Sequence, residues 1–238
     1  MNGFTRGSRN EIWALQAAPL SATLITASVT MGADFVPCAS ADLYSTPPQF
    51  AAGMSEKKVL HPSFHHPSDY SQSYGHLLEG MVQRVPRAGR FMFGNFNRLD
   101  KLHPATYAVW VQATLRTHQA GFGMLKSPAD VEEFLTNEGV ARGLHSSRLT
   151  FYDMVQKDEH LLRMSEHDIC LDTTTVNGMT TSLDVLYGAL PLISTIGERM
   201  NSRFAAAVVT EMGFPEFAAS SLKEMEDIAV EYADSSHE

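Results

Sequence analysis

The pattern of apolar and polar positions is regular from residue 91 to the end of the chain. Short apolar runs rich in β-branched and aromatic residues alternate there with longer segments whose apolar positions recur every three or four residues. Such alternation is typical of parallel strands connected by helices. Strands are predicted at 91–96, 122–125, 149–152, 169–172 and from 191, and helices at 105–116, 129–141, 157–164, 180–188, 199–212 and 222–232. We therefore expect an α/β fold over residues 91–233, a Rossmann-like parallel sheet of about five or six strands with helices on both faces.

Residues 1–88 lack this regularity. They contain most of the prolines and only short, isolated apolar runs, which are too few periodic segments to close a core. We predict one irregular unit over 1–88 and one α/β domain over 89–238, with 75–89 as a linker and a polar tail from Asp234. An apolar stretch at 12–29 resembles a signal peptide, but Gln16 and Pro19 interrupt it, which argues against secretion.

The densest group of polar side chains lies between two predicted strands, within residues 169–192. Thr180 and Thr181 open a predicted helix, and Asp184 follows one turn later. The first turn of a helix binds phosphate well, because its N–H groups lack partners within the helix and its dipole favours negative charge. A carboxylate one turn further on can hold a ribose. The segment predicts a nucleotide or sugar-nucleotide site at the carboxyl edge of the sheet.

Composition limits the possible partners. The chain has 238 residues and a net charge of −9, which argues against a general nucleic-acid-binding protein. A nucleotide must therefore be held by a few placed cations rather than by a broad positive field. Cys38 and Cys170 are far apart in sequence, and Cys170 falls in a predicted buried strand, so we expect free thiols and a reducing compartment.

Three histidines, His61, His65 and His66, invite a metal-site interpretation. Pro62 and Pro67 oppose a helix there, and no carboxylate or cysteine completes a ligand set, so a surface loop is the favoured interpretation.

Six blocks together resemble the protein O-linked N-acetylglucosamine (O-GlcNAc) transferases, in the order of that family. The blocks are RGSRNEIWAL, SEKKVLHPSF, FGNFNRLDKLHPATYAVW, RLTFYDMVQKDEHLLR, CLDTTTVNGMTTSLDVLYGALPL and GERMNSRFAAAVV. The resemblance implies a GT-B glycosyltransferase: residues 89–238 would be its second, UDP-binding Rossmann-like domain, and residues 1–88 a remnant of the first catalytic domain. It implies UDP-N-acetylglucosamine (UDP-GlcNAc) as donor substrate, Ser/Thr hydroxyls of nuclear and cytoplasmic proteins as acceptors, and no metal or other cofactor. We expect no nucleic-acid partner because the chain is acidic, and no membrane partner because no apolar run is long enough to span a bilayer.

The same resemblance assigns roles to individual residues. Lys101 matches the lysine at the donor diphosphate, where a cation stabilises the charge that develops as UDP leaves. Lys157 and His160 match residues that hold the ribose and stack on the uracil, and their spacing places both on one helix face. Thr180 and Thr181 match phosphate-binding threonines, and Asp184 matches the ribose-binding acid; helix capping is their ordinary structural role.

The chain also departs from the family's pattern. Met179 stands where a histidine is usual, and Arg98 replaces a glutamine that reaches the diphosphate, a position where arginine is a good phosphate ligand. Residues 24–30 replace a glycine- and proline-containing turn, and Ile196 replaces a proline. The chain begins near the end of the family's first catalytic domain, so we expect it to bind UDP-sugar and to transfer little.

Two other functions compete with an active transferase. One is a non-catalytic module that binds a nucleotide sugar or a partner and derives from such an enzyme. The other is a generic Rossmann-type oxidoreductase, which the absence of a G-x-G-x-x-G motif after any predicted strand disfavours.

Overall fold

The computed structural model describes residues 7–24, 29–66, 68–82 and 89–235. It contains two parallel sheets. The smaller has the order β1-β2-β3 and is built from β1 (Ala22–Thr23), β2 (Cys38–Ala41) and β3 (Lys57–Leu60). The larger has the order β6-β5-β4-β7-β8-β9. Its strands are β4 (Met92–Asn95), β5 (Gly121–Leu125), β6 (Leu149–Tyr152), β7 (Ile169–Leu171), β8 (Leu192–Thr195) and β9 (Ala218–Ala219).

Helices connect the strands of the larger sheet, and three short helices precede it. The early helices are α1 (Glu11–Ala14), α2 (Tyr70–Tyr74) and α3 (Leu78–Val82). The later ones are α4 (Pro104–Arg116), α5 (Ala129–Ala141), α6 (Lys157–Met164), α7 (Thr180–Tyr187), α8 (Phe204–Glu211) and α9 (Leu222–Ser235). Within the described ranges, no helix combines the length and apolarity that crossing a membrane requires.

The larger sheet is covered on both faces, which explains why its central strands are continuously apolar rather than alternating. Phe93 and Ile193 pack with α4, α5 and α9 on one face. Cys170 and Leu192 pack with α6, α7 and α8 on the other. The prediction of one parallel sheet with helices on both faces is confirmed, and its six strands lie at the upper end of the expected number.

Three details of the predicted elements were wrong. The helix expected over 199–212 begins only at Phe204, because residues 200–202 form a 3₁₀ turn instead. Strand β9 was not predicted, since two alanines carry no strand pattern. Helix α9 continues to Ser235, past the point where a polar tail was expected to begin.

The first 82 residues are less regular than the rest, as predicted, but they are not without structure. Their strands are two to four residues long, and β1, β2 and β3 nevertheless form a parallel sheet. Residues 75–82, expected to be linker, contain a 3₁₀ turn and α3. The rest of that linker at 83–88, most of the altered turn at 25–28, and the tail at 236–238 lie outside the described residues. The proposed domain boundary after residue 88 stays a prediction.

The histidine cluster is not a simple surface loop. His65 is 3% exposed, and its Nδ1 lies 2.5 Å from Oδ2 of Asp42, at the carboxyl end of β2. His61 Nε2 bonds the Ser40 hydroxyl at 3.0 Å. In the part of the chain that the structure describes, no three His, Cys, Asp or Glu side chains converge as metal ligands would. Cys38 and Cys170 are free thiols, and Cys170 is buried as predicted.

Candidate nucleotide site

A cavity of about 340 Å³ opens at the carboxyl edge of the larger sheet. Ten residues line it: Phe96, Asn97, Arg98, Lys101, Leu125, Met154, Val155, Lys157, His160 and Thr181. Three of them are cations, and we call this space the cationic cavity. Loops after adjacent parallel strands meet at this edge, which is where such sheets bind ligands. Five predicted site residues line it together: Arg98, Lys101, Lys157, His160 and Thr181.

Lys101 reaches the cavity from the loop between β4 and α4. A 3₁₀ turn at Leu99–Lys101 places it there, and Pro104 then starts α4 at a position where its missing N–H is harmless. Lys101 Nζ donates to Asn97 Oδ1 at 3.2 Å and to the carbonyl of Asn177 at 3.0 Å. Burial lowers the pKa of Lys101, and the nearby Asp172 carboxylate opposes that effect.

Arg98 lies at the mouth of the cavity and is exposed. Its Nη2 donates to Asp100 Oδ2 at 2.6 Å, a solvent-exposed pair of the kind that contributes little stability. An anionic ligand can therefore compete with Asp100 for this guanidinium at little energetic cost.

Lys157 and His160 both come from the first turn of α6, as their spacing predicts. The His160 ring meets the edge of Phe96 with their centroids 5.6 Å apart, so an aromatic pair forms part of the wall. Burial is the main cause that lowers the pKa of His160; the Asp184 carboxylate opposes it, and the neighbouring cations Lys157 and Arg163 act with it. A neutral imidazole beside an aromatic ring suits a nucleobase better than a phosphate.

The start of α7 supplies hydroxyl and backbone donors. Thr181 lines the cavity, whereas Thr180 is exposed beside it. Gly178 precedes the helix, and a Cβ there would come within 2.6 Å of Ser182 Oγ, so only glycine fits without movement. Met179, the departure from the family's histidine, is the N-cap residue and provides no side-chain cap hydrogen bond.

Asp184 lies next to the cationic cavity but does not line it. It is 5% exposed, and its Oδ1 accepts a hydrogen bond from the Tyr70 hydroxyl and forms an ion pair with Lys157. The Tyr70 ring packs on Tyr187 with centroids 4.9 Å apart, and Lys157 Nζ lies 5.8 Å from its centre. A ribose hydroxyl that binds Asp184 Oδ1 has to share this oxygen with Tyr70 and Lys157 or displace one of them.

Three residues at or beside this site were not predicted from the sequence. Tyr70 carries no motif, because its role depends on α2 folding back onto α7. Asn97 directly follows one predicted strand, and Asp172 was predicted only as the last residue of another. A signal for Asp172 existed, since an acid directly after a buried parallel strand falls at the edge where ligands bind.

A larger cavity of about 530 Å³ lies between residues 29–54 and the loop after β8 at 198–201. None of the predicted site residues lines it. The predicted site residues that line a cavity are therefore all found at the smaller one, the cationic cavity.

Comparison with known proteins gives a consistent result. The family described as glycosyl transferase family 41 matches residues 1–90 and 83–238. The Arabidopsis thaliana protein named "Probable UDP-N-acetylglucosamine--peptide N-acetylglucosaminyltransferase SEC" is 31% identical over 241 residues, covering 98% of this chain and 24% of that protein. A Caenorhabditis elegans UDP-N-acetylglucosamine–peptide N-acetylglucosaminyltransferase is 33% identical over 154 residues, 65% of this chain and 13% of that protein.

Among solved structures, a mutant O-GlcNAc transferase of Thermobaculum terrenum has the same fold. The TM-score is 0.81 at 24% identity, covering 93% of this chain and 42% of that one. The chain spans about a quarter of the length of its Arabidopsis thaliana relative SEC.

Proposed function

Because the chain belongs to glycosyl transferase family 41, we propose that the cationic cavity binds the UDP part of UDP-GlcNAc. In this proposal the chain takes part in transferring N-acetylglucosamine to Ser or Thr hydroxyls of proteins. One observation carries it: Arg98, Lys101 and Lys157 converge with His160 in one small cavity of a protein whose net charge is −9. Placed cations in an acidic protein indicate a specific anion rather than general polyanion binding.

Each side chain has a part in the proposed complex. Lys101, assisted by Arg98, stabilises the diphosphate as it leaves. The hydroxyls of Thr180 and Thr181 donate hydrogen bonds to its oxygens. His160 and Phe96 form the wall for the base, and Lys157 and Asp184 face the ribose. Lysine and arginine supply the positive charge, so the proposal includes no metal or other cofactor.

The proposed acceptors are cytoplasmic or nuclear proteins, and the proposal includes neither a nucleic-acid nor a membrane partner. Support for a protein acceptor comes from the relatives' names, which specify a peptide. The alternative is a module that binds the nucleotide sugar without turnover. Two observations favour this alternative: Met179, at the N-cap of α7, provides no side-chain cap hydrogen bond, and the Tyr70 hydroxyl already bonds Asp184.

Calorimetry with UDP tests the proposal. We expect wild-type protein to bind UDP and Lys101→Ala to weaken binding by about tenfold or more, because a charge-assisted contact to phosphate is lost. The matched control is Lys223→Ala, which removes an exposed lysine from α9 on the far side of the sheet. Equal UDP affinity in all three proteins, or no UDP binding by the wild type, would reject the assigned site.

A further inference from the structure

A buried acid that the proposed function does not use lies directly behind the cationic cavity. Asp172 follows β7 and is fully buried. Its Oδ1 accepts hydrogen bonds from Gly178 N at 2.8 Å and from Asn97 Nδ2 at 3.0 Å, and its Oδ2 accepts one from Ser194 Oγ at 2.8 Å. All three partners are neutral groups. A buried carboxylate is normally balanced by a cation, so its countercharge has to be identified.

That countercharge reaches Asp172 through one amide. Asn97 donates from Nδ2 to Asp172 and accepts at Oδ1 from Lys101 Nζ, 3.2 Å away. A carboxylate only accepts and an ammonium only donates, so a single orientation of the Asn97 amide satisfies both neighbours. The other acceptor of Lys101 is the carbonyl of Asn177, in the loop whose next residue, Gly178, donates to Asp172. Both groups that hold the ammonium are therefore tied to the same carboxylate.

We propose that Asp172 is a positioning residue for the sugar-nucleotide donor, holding the Lys101 ammonium at the wall of the cationic cavity through Asn97 and the 177–178 loop. This inference rests on the proposed function, since the diphosphate is what Lys101 is held for. Asp172 does not touch the ligand. It acts by keeping Lys101 charged and in place before the ligand arrives, which is the preorganisation that charge stabilisation requires.

The ionisation behaviour of the two groups supports this arrangement. Burial lowers the pKa of Lys101, and among the neighbouring charges Asp172 raises it most. Burial raises the pKa of Asp172 to about 6, and Lys101 is among the groups that lower it. At neutral pH each group thus favours the charged form of the other across the Asn97 amide.

Asp172 also joins β7, β8 and two loops, so a test has to separate positioning from support of the fold. Titration of the lysine side chains by NMR does so without any ligand, with the Lys101 signal assigned from Lys101→Arg. We expect the Lys101 signal to titrate at lower pH in Asp172→Asn than in wild type. The matched control is Asp168→Asn at the amino end of β7, where Oδ2 accepts from Met92 N at 2.7 Å, and there the Lys101 titration should not move. An unshifted Lys101 titration in Asp172→Asn overturns the proposal.

A second measurement links the relay to the ligand. Calorimetry at pH 8 compares UDP with uridine, which lacks the diphosphate. We expect Asp172→Asn to weaken UDP binding by about tenfold, to leave uridine affinity within about twofold, and to add nothing in the Lys101→Ala background. Equal losses for UDP and uridine, or additive losses in the double variant, would mean that Asp172 only supports the fold.

Two further outcomes are decisive. If wild-type protein binds no UDP while Asp172→Asn still moves the Lys101 titration to lower pH, the proposed function fails and the coupling of Asp172 to Lys101 through Asn97 stands. If Asp172→Asn does not fold, Asn97→Ser carries the same test, because it breaks the relay in the middle and leaves the carboxylate in place. An unchanged Lys101 titration in Asn97→Ser would then overturn the proposal.

Discussion

At the scale of single residues, this site depends on charges placed where water is largely excluded. Asp172 has a folded-state pKa of about 6 against an ordinary value of 3.8, with burial as the largest cause. Between about pH 4 and 6 the folded state therefore holds a proton that the unfolded state has lost. Stability contributed by the protonated group is lost as pH rises through this window and stays lost above it. The shift corresponds to about 3 kcal/mol.

This sign leads to a prediction about stability. We expect the unfolding free energy of Asp172→Asn to rise relative to that of wild type as pH increases from about 4 to 7, because the variant has no charge to bury. The difference between the two proteins should change by up to about 3 kcal/mol over this range. Urea unfolding at both pH values measures it, and other titrating groups cancel in the comparison. A difference independent of pH would contradict the prediction. Asp168→Asn, which removes a partly buried carboxylate from the amino end of β7, is the control.

At the scale of elements, the short helices before the larger sheet matter more than their length suggests. Helix α2 has five residues, far below the length at which an isolated helix is stable, so tertiary contacts hold it. Tyr70 bonds Asp184 and stacks on Tyr187, and His76 Nε2 lies 3.0 Å from Asp158 Oδ2. Met81 of α3 is fully buried, in a cluster that also contains residues of α6 and α7. The segment therefore packs against α6 and α7, the two helices whose first turns contribute Lys157, His160 and Thr181 to the cationic cavity.

We predict that Tyr70→Phe lowers the unfolding free energy by about 1–2 kcal/mol, because a hydrogen bond to a nearly buried carboxylate is lost while the ring stays. Tyr74→Phe is the matched control from the same helix. Within the described residues, the Tyr74 hydroxyl forms no hydrogen bond, and its ring packs on Tyr70 with centroids 5.7 Å apart. Guanidinium unfolding of both variants provides the measurement. Equal losses would show that the Tyr70 hydroxyl contributes nothing specific.

At the scale of the whole molecule, the parallel sheet sets where chemistry can occur. Its carboxyl edge brings together the segments after β4, β6 and β7, which carry the residues proposed to bind the donor. Transfer needs more than a bound donor. The sugar, the acceptor hydroxyl and a proton acceptor have to be held together in a closed cleft. The lining of the cationic cavity supplies three cations and the Thr181 hydroxyl, which are groups suited to a diphosphate.

We therefore predict that the 238-residue chain, assayed alone, binds UDP-GlcNAc and transfers little sugar to a Ser/Thr peptide in a radiolabelled assay. Met179→His should strengthen donor binding, since it adds a polar group at the start of α7, and should not restore transfer, because it changes the donor side only. Robust multiple turnover by the chain would contradict this expectation and exclude the alternative of a non-catalytic module.

Local pattern determined most of the larger domain. Continuous apolar runs predicted five of its six strands, and the start and stop residues of α5 and α6 were predicted correctly. Residues close in sequence were also grouped correctly, as with Lys157 and His160 on one turn of α6. Periodicity and spacing act over a few residues, so they are legible in the chain itself. The role of Lys101 came instead from family resemblance, and the roles of Lys101 and Asp184 both stay predictions.

Tertiary structure decided what depends on residues far apart in sequence. Asp172 meets Asn97 and Ser194 only because β4, β7 and β8 are neighbours in the sheet, and Tyr70 reaches Asp184 only because α2 folds back across α7. His65, predicted on the surface, is buried against Asp42 for the same reason. Burial then changed the chemistry of these groups, raising the pKa of Asp172 and lowering that of Lys101. Sequence determined which groups are present, and packing determined which of them share a dry environment, because desolvation and hydrogen bonding depend on neighbours in space.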